Sequence, residues 1–308
     1  PIVLQIGSRF INIGIAGESE PLLTFSTQNF SQMQLFQIEN DSHKLNTAAI
    51  YDLQRFNYLF APNLSIYKEK TTLINSFQYN LDSHLFRILH HLFRRLKLDV
   101  IKSKIIILEP FELNQIYKKS LTDQLLLHLQ ARSITFIPSP LMNTVAAGVR
   151  NGLVMDFGWN FTVSQSIFDL VVLENTSMLT TIAGHTIPSW LKYKPIEQLF
   201  YDDESTWEKN DLDEKSPVQL LLDQLKQLPI DIRKEMVNCV ILTGGISKIP
   251  GFRLRFRKEL DSKLDKHAKE SKIVNTLGEW RGASLYSSTI LLRSRHLSEM
   301  GELKRENY

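Results

Sequence analysis

The sequence predicts an α/β fold assembled from two related halves, and two observations predict it. Unbroken apolar runs of strand length, KIIIL (104–108), GLVMDFG (152–158) and VNCVILTGG (237–245), alternate with helical stretches. Such runs mark strands buried on both faces, as in sheets covered by helices. A strand, a glycine turn and a returning strand also occur twice, near residues 5–17 and 156–170. An echo in the same order is what a duplicated unit leaves behind. At 308 residues the chain is long enough for two domains with cores of their own.

Taken in order, PIVLQIG and FINIGIAG read as two short strands joined through Gly7, Ser8 and Arg9. From Asn80 the period turns helical. Leu85, Phe86, Leu89, Leu92, Phe93 and Leu96 recur at spacings of three and four, with Asn80 or Asp82 as the expected cap. KIIIL follows as a buried strand, then a second amphipathic helix carrying Ile116, Leu121, Leu125 and Leu129. SITFI is a strand, PSPLMNTVAAGV a short helix and GLVMDFG a strand. FTVSQSIFDLVVL is a strand, a turn and a strand. VQLLLDQLKQL is a helix, and VNCVILTGG a buried strand ending on paired glycines. A long charged helix then spans 253–272, with Phe252, Phe256, Leu260 and Leu264 at four-residue spacing. Two segments keep no period: 26–70, rich in Gln, Asn, Ser and Phe, and 201–216, YDDESTWEKNDLDEKS, read as a solvated loop or insert.

Composition removes several functions. Hydrophobic residues at 43% and charged residues at 22% are those of a globular chain, and no apolar run reaches membrane-spanning length. PIVLQIGSRF has no basic stretch of the kind that opens a secretory leader. A net charge of +3 gives no nucleic-acid footprint over the whole chain. The single cysteine, Cys239, lies in an apolar run and reads as a buried, inert thiol in a reducing compartment. His84, His90 and His91 share one helix, but no cysteine or carboxylate completes a zinc set, so they read as solvated or interface histidines. Arg94, Arg95 and Lys97 suit a helix C-terminus, and the 253–272 helix interleaves its cations with Glu259, Asp261, Asp265 and Glu270 as a solvated face does. The motifs of Walker NTPases, HExxH proteases and GxSxG hydrolases do not occur.

Four ordered stretches together resemble the actin family. QIGSRFINIGIAGESEP is similar to its first phosphate hairpin, and GLVMDFGWNFT to the second. LPIDIRKEMVNCVILTGGISKIPGF is similar to the helix, strand and Gly-Gly turn beside the adenosine, and LGEWRGASLYSS to the late tryptophan–glycine segment. The resemblance implies an actin-like fold, two related α/β domains around a cleft. The first covers 1–145 plus 276–308 and carries a divergent 26–70 insert. The second covers 146–275, with 186–216 as a much reduced fourth subdomain. DFGWNFTVSQSIFDL and LPIDIRKEM further resemble the divergent fungal branch at the pointed end of the dynactin filament.

In that family ATP or ADP with magnesium is held by backbone amides of the two hairpins and by acidic groups acting through waters. Gly7, Ser8, Asp156, Gly158, Gly184, Gly244 and Gly245 match positions of such a site. The rest departs from it. Gln5 stands for the metal-side aspartate, Arg9 for a glycine and Asn12 for the phosphate-binding lysine. Phe157, Trp159 and Asn160 stand for a serine, an aspartate and a glycine, and Ser139 for the water-orienting glutamine. Ile249 and Thr276 replace a tyrosine and a lysine near the base. The rings of Phe157 and Trp159 are expected to fill the phosphate cavity, and Asp156 to serve as a structural turn-former. The site is therefore expected to be vestigial, without metal, cofactor or catalytic residue.

The resemblance further implies a structural subunit in the cytoplasm and cytoskeleton. It would dock on the pointed end of an actin-related filament and offer no face to the next subunit, since head-to-tail contacts grow a filament unless a face is missing. Trp280, Arg281 and Ser284 are the expected filament interface. Other dynactin subunits are expected partners, and neither nucleic acid nor a second copy is. Two alternatives stand beside this: a scaffold subunit of a nuclear chromatin-remodelling complex, and an actin-like ATP-binding protein with weak ATPase.

Overall fold

The computed structural model describes residues 1–26, 71–111, 115–184, 215–264, 271–291 and 301–308. Readings of 26–70 and 186–216 thus fall almost wholly outside the described residues. Two compact units are present, Pro1–Pro138 with Ala283–Tyr308, and Ser139–Gly282.

The first unit is built on a six-stranded sheet. Its strands are β1 (Ile2–Ile6), β2 (Phe10–Ile15), β3 (Leu23–Ser26), β4 (Lys104–Glu109), β5 (Ser133–Pro138) and β12 (Leu303–Lys304), in the order β12-β5-β4-β1-β2-β3. β1 pairs antiparallel with β2 and parallel with β4, and β4 runs parallel to β5. Ile2, Val3, Leu4 and Ile105 to Leu108 are all buried, because a central strand here has covered faces on both sides. β12 closes one edge. Ser133 Oγ donates to Glu302 Oε1 at 2.6 Å, and Lys104 Nζ reaches the same oxygen at 3.0 Å.

Helix α1 (Thr71–Leu96) presents Leu81, Leu85, Ile88, Leu89, Leu92 and Phe93 to the core. Two sequence expectations change here. The helix starts at Thr71, so Asn80 and Asp82 lie inside it, and Asp82 accepts a hydrogen bond from Ser120 on the second helix instead of capping. Ile88 takes the place expected of Phe86, which lies a quarter-turn round from Leu85 and is 37% exposed. The helix ends with Lys97 in the left-handed region (φ 51°), as Leu98 N–H donates to Phe93 O at 3.1 Å. Helix α2 (Gln115–Asp123) runs on into a π-turn, Gln124–His128.

The second unit repeats the plan. Its sheet runs β11 (Ile273–Val274), β10 (Val240–Gly244), β6 (Gly152–Phe157), β7 (Thr162–Phe168) and β8 (Val171–Val172), with β9 (Met178–Thr180) also on β7. As in the first unit, a hairpin's leading strand, here β6, has a later strand parallel to it. Helices are α3 (Ser139–Ala146), α4 (Pro217–Gln227), α5 (Ile230–Val237), α6 (Phe252–Lys263) and the first half of α7 (Glu279–Tyr286), whose residues from Ala283 on belong to the first unit. α4 begins with Ser216, whose Oγ accepts Gln219 N–H, and Pro217 in the first turn. α6 buries Phe252, Phe256 and Leu260 but stops at Lys263, short of the predicted 272. Leu264 is extended, and Asp261 Oδ1 accepts from Ser271 N and Oγ at 2.9 and 2.6 Å, which steers the chain into β11.

Candidate functional site

The first hairpin closes through Gly7, whose N–H donates to Phe10 O at 2.9 Å. A Cβ on Gly7 would lie 3.0 Å from that oxygen, so close backbone approach favours glycine here. Ser8 and Arg9 form the tip, and Phe10 is 55% exposed. Below the tip Gln5 and Asn12 stand directly opposite across β1 and β2. Asn12 Nδ2 donates to Gln5 Oε1 at 2.8 Å, and Thr24 Oγ1 on β3 donates to Asn12 Oδ1 at 2.8 Å. The two amides that stand for an aspartate and a lysine are thus joined by one hydrogen bond, in a neutral chain that continues to Thr24.

The second hairpin repeats this geometry. Gly158 N–H donates to Phe161 O at 3.0 Å, and a Cβ on Gly158 would meet that oxygen at 2.9 Å. The expectation that Phe157 fills a phosphate cavity is corrected. Its ring is fully buried in the core of the second unit, edge-on to Phe252 and Phe256 at 4.7 and 5.7 Å. Strand parity is the reason. Leu153, Met155 and Phe157 share the face that packs on α4 and α6, while Asp156 points to the other. Trp159 does occupy space near the turn. A Cβ on Gly184 would lie 2.9 Å from Trp159 Cε3, and Gly184 N–H donates to Gly158 O at 3.0 Å. In this chain Gly184 makes room for an indole.

Asp156 sits opposite Val163 and Thr243. Burial pushes its carboxyl up from the ordinary carboxylate value to about 6. Gly244 presses on it. With φ +87°, a Cβ there would lie 2.3 Å from Phe157 O and 2.6 Å from Asp156 Oδ1. Gly245 has ordinary φ, and a Cβ added to it would meet nothing within 4 Å, so packing does not demand glycine there. Ile249 packs against the core of its unit, and Thr276 Oγ1 donates to Asn143 O at 2.9 Å.

These residues do not fit a magnesium–triphosphate site. Such a site needs ionised oxygens around the cation and a cation on the phosphate. The first hairpin offers an internally bonded amide pair. The second keeps one carboxyl, raised to about 6 by burial and still largely ionised at neutral pH, with an indole over the neighbouring glycine.

Of the three residues of the expected filament interface, two are buried within the chain. Trp280 is 4% exposed and Ser284 1%. Ser284 Oγ donates to Glu18 O at 2.7 Å and accepts Gly17 N–H at 2.9 Å, so it ties the end of the first hairpin region to its own unit. Arg281 is partly exposed, with Nη1 donating to Leu277 O at 3.3 Å. Sequence reasoning missed Gly282. A Cβ there would come within 2.0 Å of Met142 O, so α7 lies against the backbone of α3 at that point. A glycine inside a predicted helix was the available signal.

Of the histidines, His84 is buried, against the expectation of a solvated residue, and desolvation with Arg87 nearby lowers its pKa to about 4. His90 is exposed and stacks on Phe86. Cys239 is buried, and burial pushes its thiol up, as expected of an inert residue. Among the described residues no group of three His, Cys, Asp or Glu is placed to hold a metal, and no helix is long and apolar enough to cross a membrane.

Paired glycine hairpins, each followed by a parallel strand in one of two like sheets, define an actin-type α/β protein. The sequence matches the family described as Actin over residues 1–199 and 192–300, and the chain belongs to that family. It is similar to Actin-like protein ARP10 of Saccharomyces cerevisiae, 24% identical over 146 residues, which is 46% of this chain and 50% of that protein. It is also similar to Actin-like protein arp10 of Schizosaccharomyces pombe, 30% identical over 99 residues, 32% of this chain and 26% of the other. Actin-related protein 4 of the same species is 32% identical over 104 residues, 31% of this chain and 24% of its own length. The chain thus spans half or less of the length of each of these relatives.

Proposed function

We propose that this actin-related protein is a non-catalytic structural subunit that caps the pointed end of the actin-related filament in dynactin, and so supports dynein-driven movement on microtubules. The observation that carries the non-catalytic part is the neutral chain Thr24–Asn12–Gln5. It replaces the charges that a magnesium nucleotide requires and leaves their positions bonded to each other. Gly7, Gly158, Gly184 and Gly244 are then inherited scaffold, kept by turn geometry and close packing, and Asp156 is a buried remnant, while nothing in the packing accounts for Ser8 and Gly245. The capping part rests on the dynactin-type runs DFGWNFTVSQSIFDL and LPIDIRKEM and on the similarity to two Arp10 proteins.

The partners in this reading are filament-forming actin-related subunits and other dynactin subunits, in the cytoplasm. Denaturing the purified protein and assaying the supernatant tests the first part, and no stoichiometric adenine nucleotide is expected. Release of one ADP per chain would defeat it. Affinity purification tests the second part, with filament-forming actin-related subunits expected in the eluate. The similarity to Actin-related protein 4 favours one other reading, a nuclear remodelling scaffold, and recovery of a remodelling ATPase in their place would establish it.

A further inference from the structure

The two edges of the first sheet are built differently. β3 at one edge buries Phe25, whereas β12 at the other is exposed along its length. β12 belongs to residues 301–308, whose two large apolar side chains, Leu303 and Tyr308, are 38% and 49% exposed, so neither enters the core. Polar contacts hold this segment in place. Leu303 and Lys304 pair with Ile134 and Ser133 of β5, and Arg305 N–H donates to Arg132 O at 3.2 Å. Arg305 Nη1 donates to Gln130 O at 2.8 Å, and the Tyr308 hydroxyl donates to Asp123 Oδ1. Its one sequestered group is the Glu302 carboxylate, 4% exposed, held by Ser133 Oγ and Lys104 Nζ. A segment fixed by exposed hydrogen bonds and one ion pair, with almost no apolar burial, belongs to the part of a fold that opens first.

We propose that residues 301–308 are a releasable strap over the edge of β5, and that the uncovered edge docks an extended segment of another protein by strand addition. Opening frees the backbone groups that β5 shares with β12, together with the carbonyls of Gln130 and Arg132. An open strand edge is a template for another strand. The strap itself shows which strand fits. Lys104 and Ser133 select a carboxylate at the place of Glu302, and the Gln130 carbonyl selects a guanidinium at that of Arg305. Asp123 takes a hydroxyl donor at the place of Tyr308. A swap of straps between two copies would exchange like for like and gain no contact, so a foreign strand is the favoured occupant. The proposal is independent of the nucleotide and capping readings.

The test uses the full chain. Hydrogen exchange read by mass spectrometry should show residues 301–308 exchanging at a rate indifferent to low urea, while β4 exchanges only with global unfolding. A fluorescent peptide of sequence GELKRENY stands in for the partner strand. Its anisotropy should report binding to the parent in competition with the strap. Glu302→Gln in the chain weakens the competitor and should tighten that binding about two- to fivefold, as for an ion pair partly open to solvent. The melting temperature of this variant should barely move, which separates release of the strap from loss of folding. A peptide with Gln for its Glu should bind the Glu302→Gln chain more weakly than GELKRENY does, and adding Lys104→Gln to that chain should erase the difference. Strap amides that exchange only with global unfolding, undetectable peptide binding to the Glu302→Gln chain, or equal binding of a scrambled peptide would each overturn the proposal. So would dimers of the Glu302→Gln chain in sedimentation, which would mean that the edge takes the strap of a second copy.

Discussion

Replacing Asp156 by Asn separates a retired carboxylate from a working one. The folded carboxyl titrates at about 6 against an ordinary 3.8. That difference of roughly two units corresponds to about 3 kcal/mol. Because the folded value is raised, the protonated form is the one the fold favours. Its contribution is complete below pH 3.8 and is lost as pH rises through about 6. Asn keeps the shape and never ionises, so Asp156→Asn should match the parent below about pH 4 and exceed it by up to about 3 kcal/mol at about pH 8. The residue retains some exposed surface, which makes that figure a ceiling. The parent's own pH profile is a poor readout, because His84 opposes the trend. Its folded value is lowered to about 4 from 6.5, so its contribution is lost as pH falls from 6.5 through 4. Urea titrations of parent and variant between about pH 4 and 8, compared as differences, cancel the histidine. A variant less stable than the parent at the alkaline end would refute the reasoning, since it would mean that the fold stabilises the ionised carboxylate and holds its folded value below the ordinary one, not above it.

Other substitutions test the packing. Gly244→Ala should be strongly destabilising by thermal melt, because its Cβ would overlap Phe157 O, whereas Gly245→Ala should be near neutral. Gly282→Ala should cost several times the ~1 kcal/mol that alanine ordinarily gains in a helix, since the added carbon meets Met142 O. Phe157→Ala should lower stability by about 3–5 kcal/mol in denaturant melts; a loss below ~1 kcal/mol would mean that the ring does not anchor the core of its unit. His84→Leu should remove the acid-side loss of stability between pH 6.5 and 4, measured as the difference from the parent.

Much of the fold was legible because strands buried on both faces are written as unbroken apolar runs, and β1, β4, β6 and β10 fall on those runs. The glycine hairpins were legible for the same reason that they recur. Only glycine lets the strand close on the fourth residue's carbonyl at this distance. What failed were directions rather than elements. Motif position alone puts Phe157 in a cavity, although its parity with Leu153 and Met155 already assigns it to the core. The family resemblance alone puts Trp280 and Ser284 at an interface, and it reveals neither their burial nor that Gly282 draws α7 onto the α3 backbone. Helix ends failed where side chains cap from a distance, as Asp261 does through Ser271 and as Asp82 does not. Those bonds join residues that no local window contains.

The two hairpins depart from the family pattern in different ways, and the difference bears on how residue identity should be used. In the first unit the charged positions were exchanged for amides, and the exchange works as a pair. Gln5 and Asn12 face each other in register, so a single exchange would have left an amide opposite a charge, while both together close a bond at 2.8 Å. In the second unit the carboxyl persists as Asp156, yet burial under Gly244 and beside β10 shifts it toward the neutral form. A retained aspartate therefore carries less information here than a replaced one. The replacement at residue 5 shows the loss of a charge directly, whereas what Asp156 offers depends on its surroundings. By that logic, restoring Asp at residue 5 and Lys at residue 12 should exchange the 2.8 Å amide bond across the first hairpin for an ion pair in the same register.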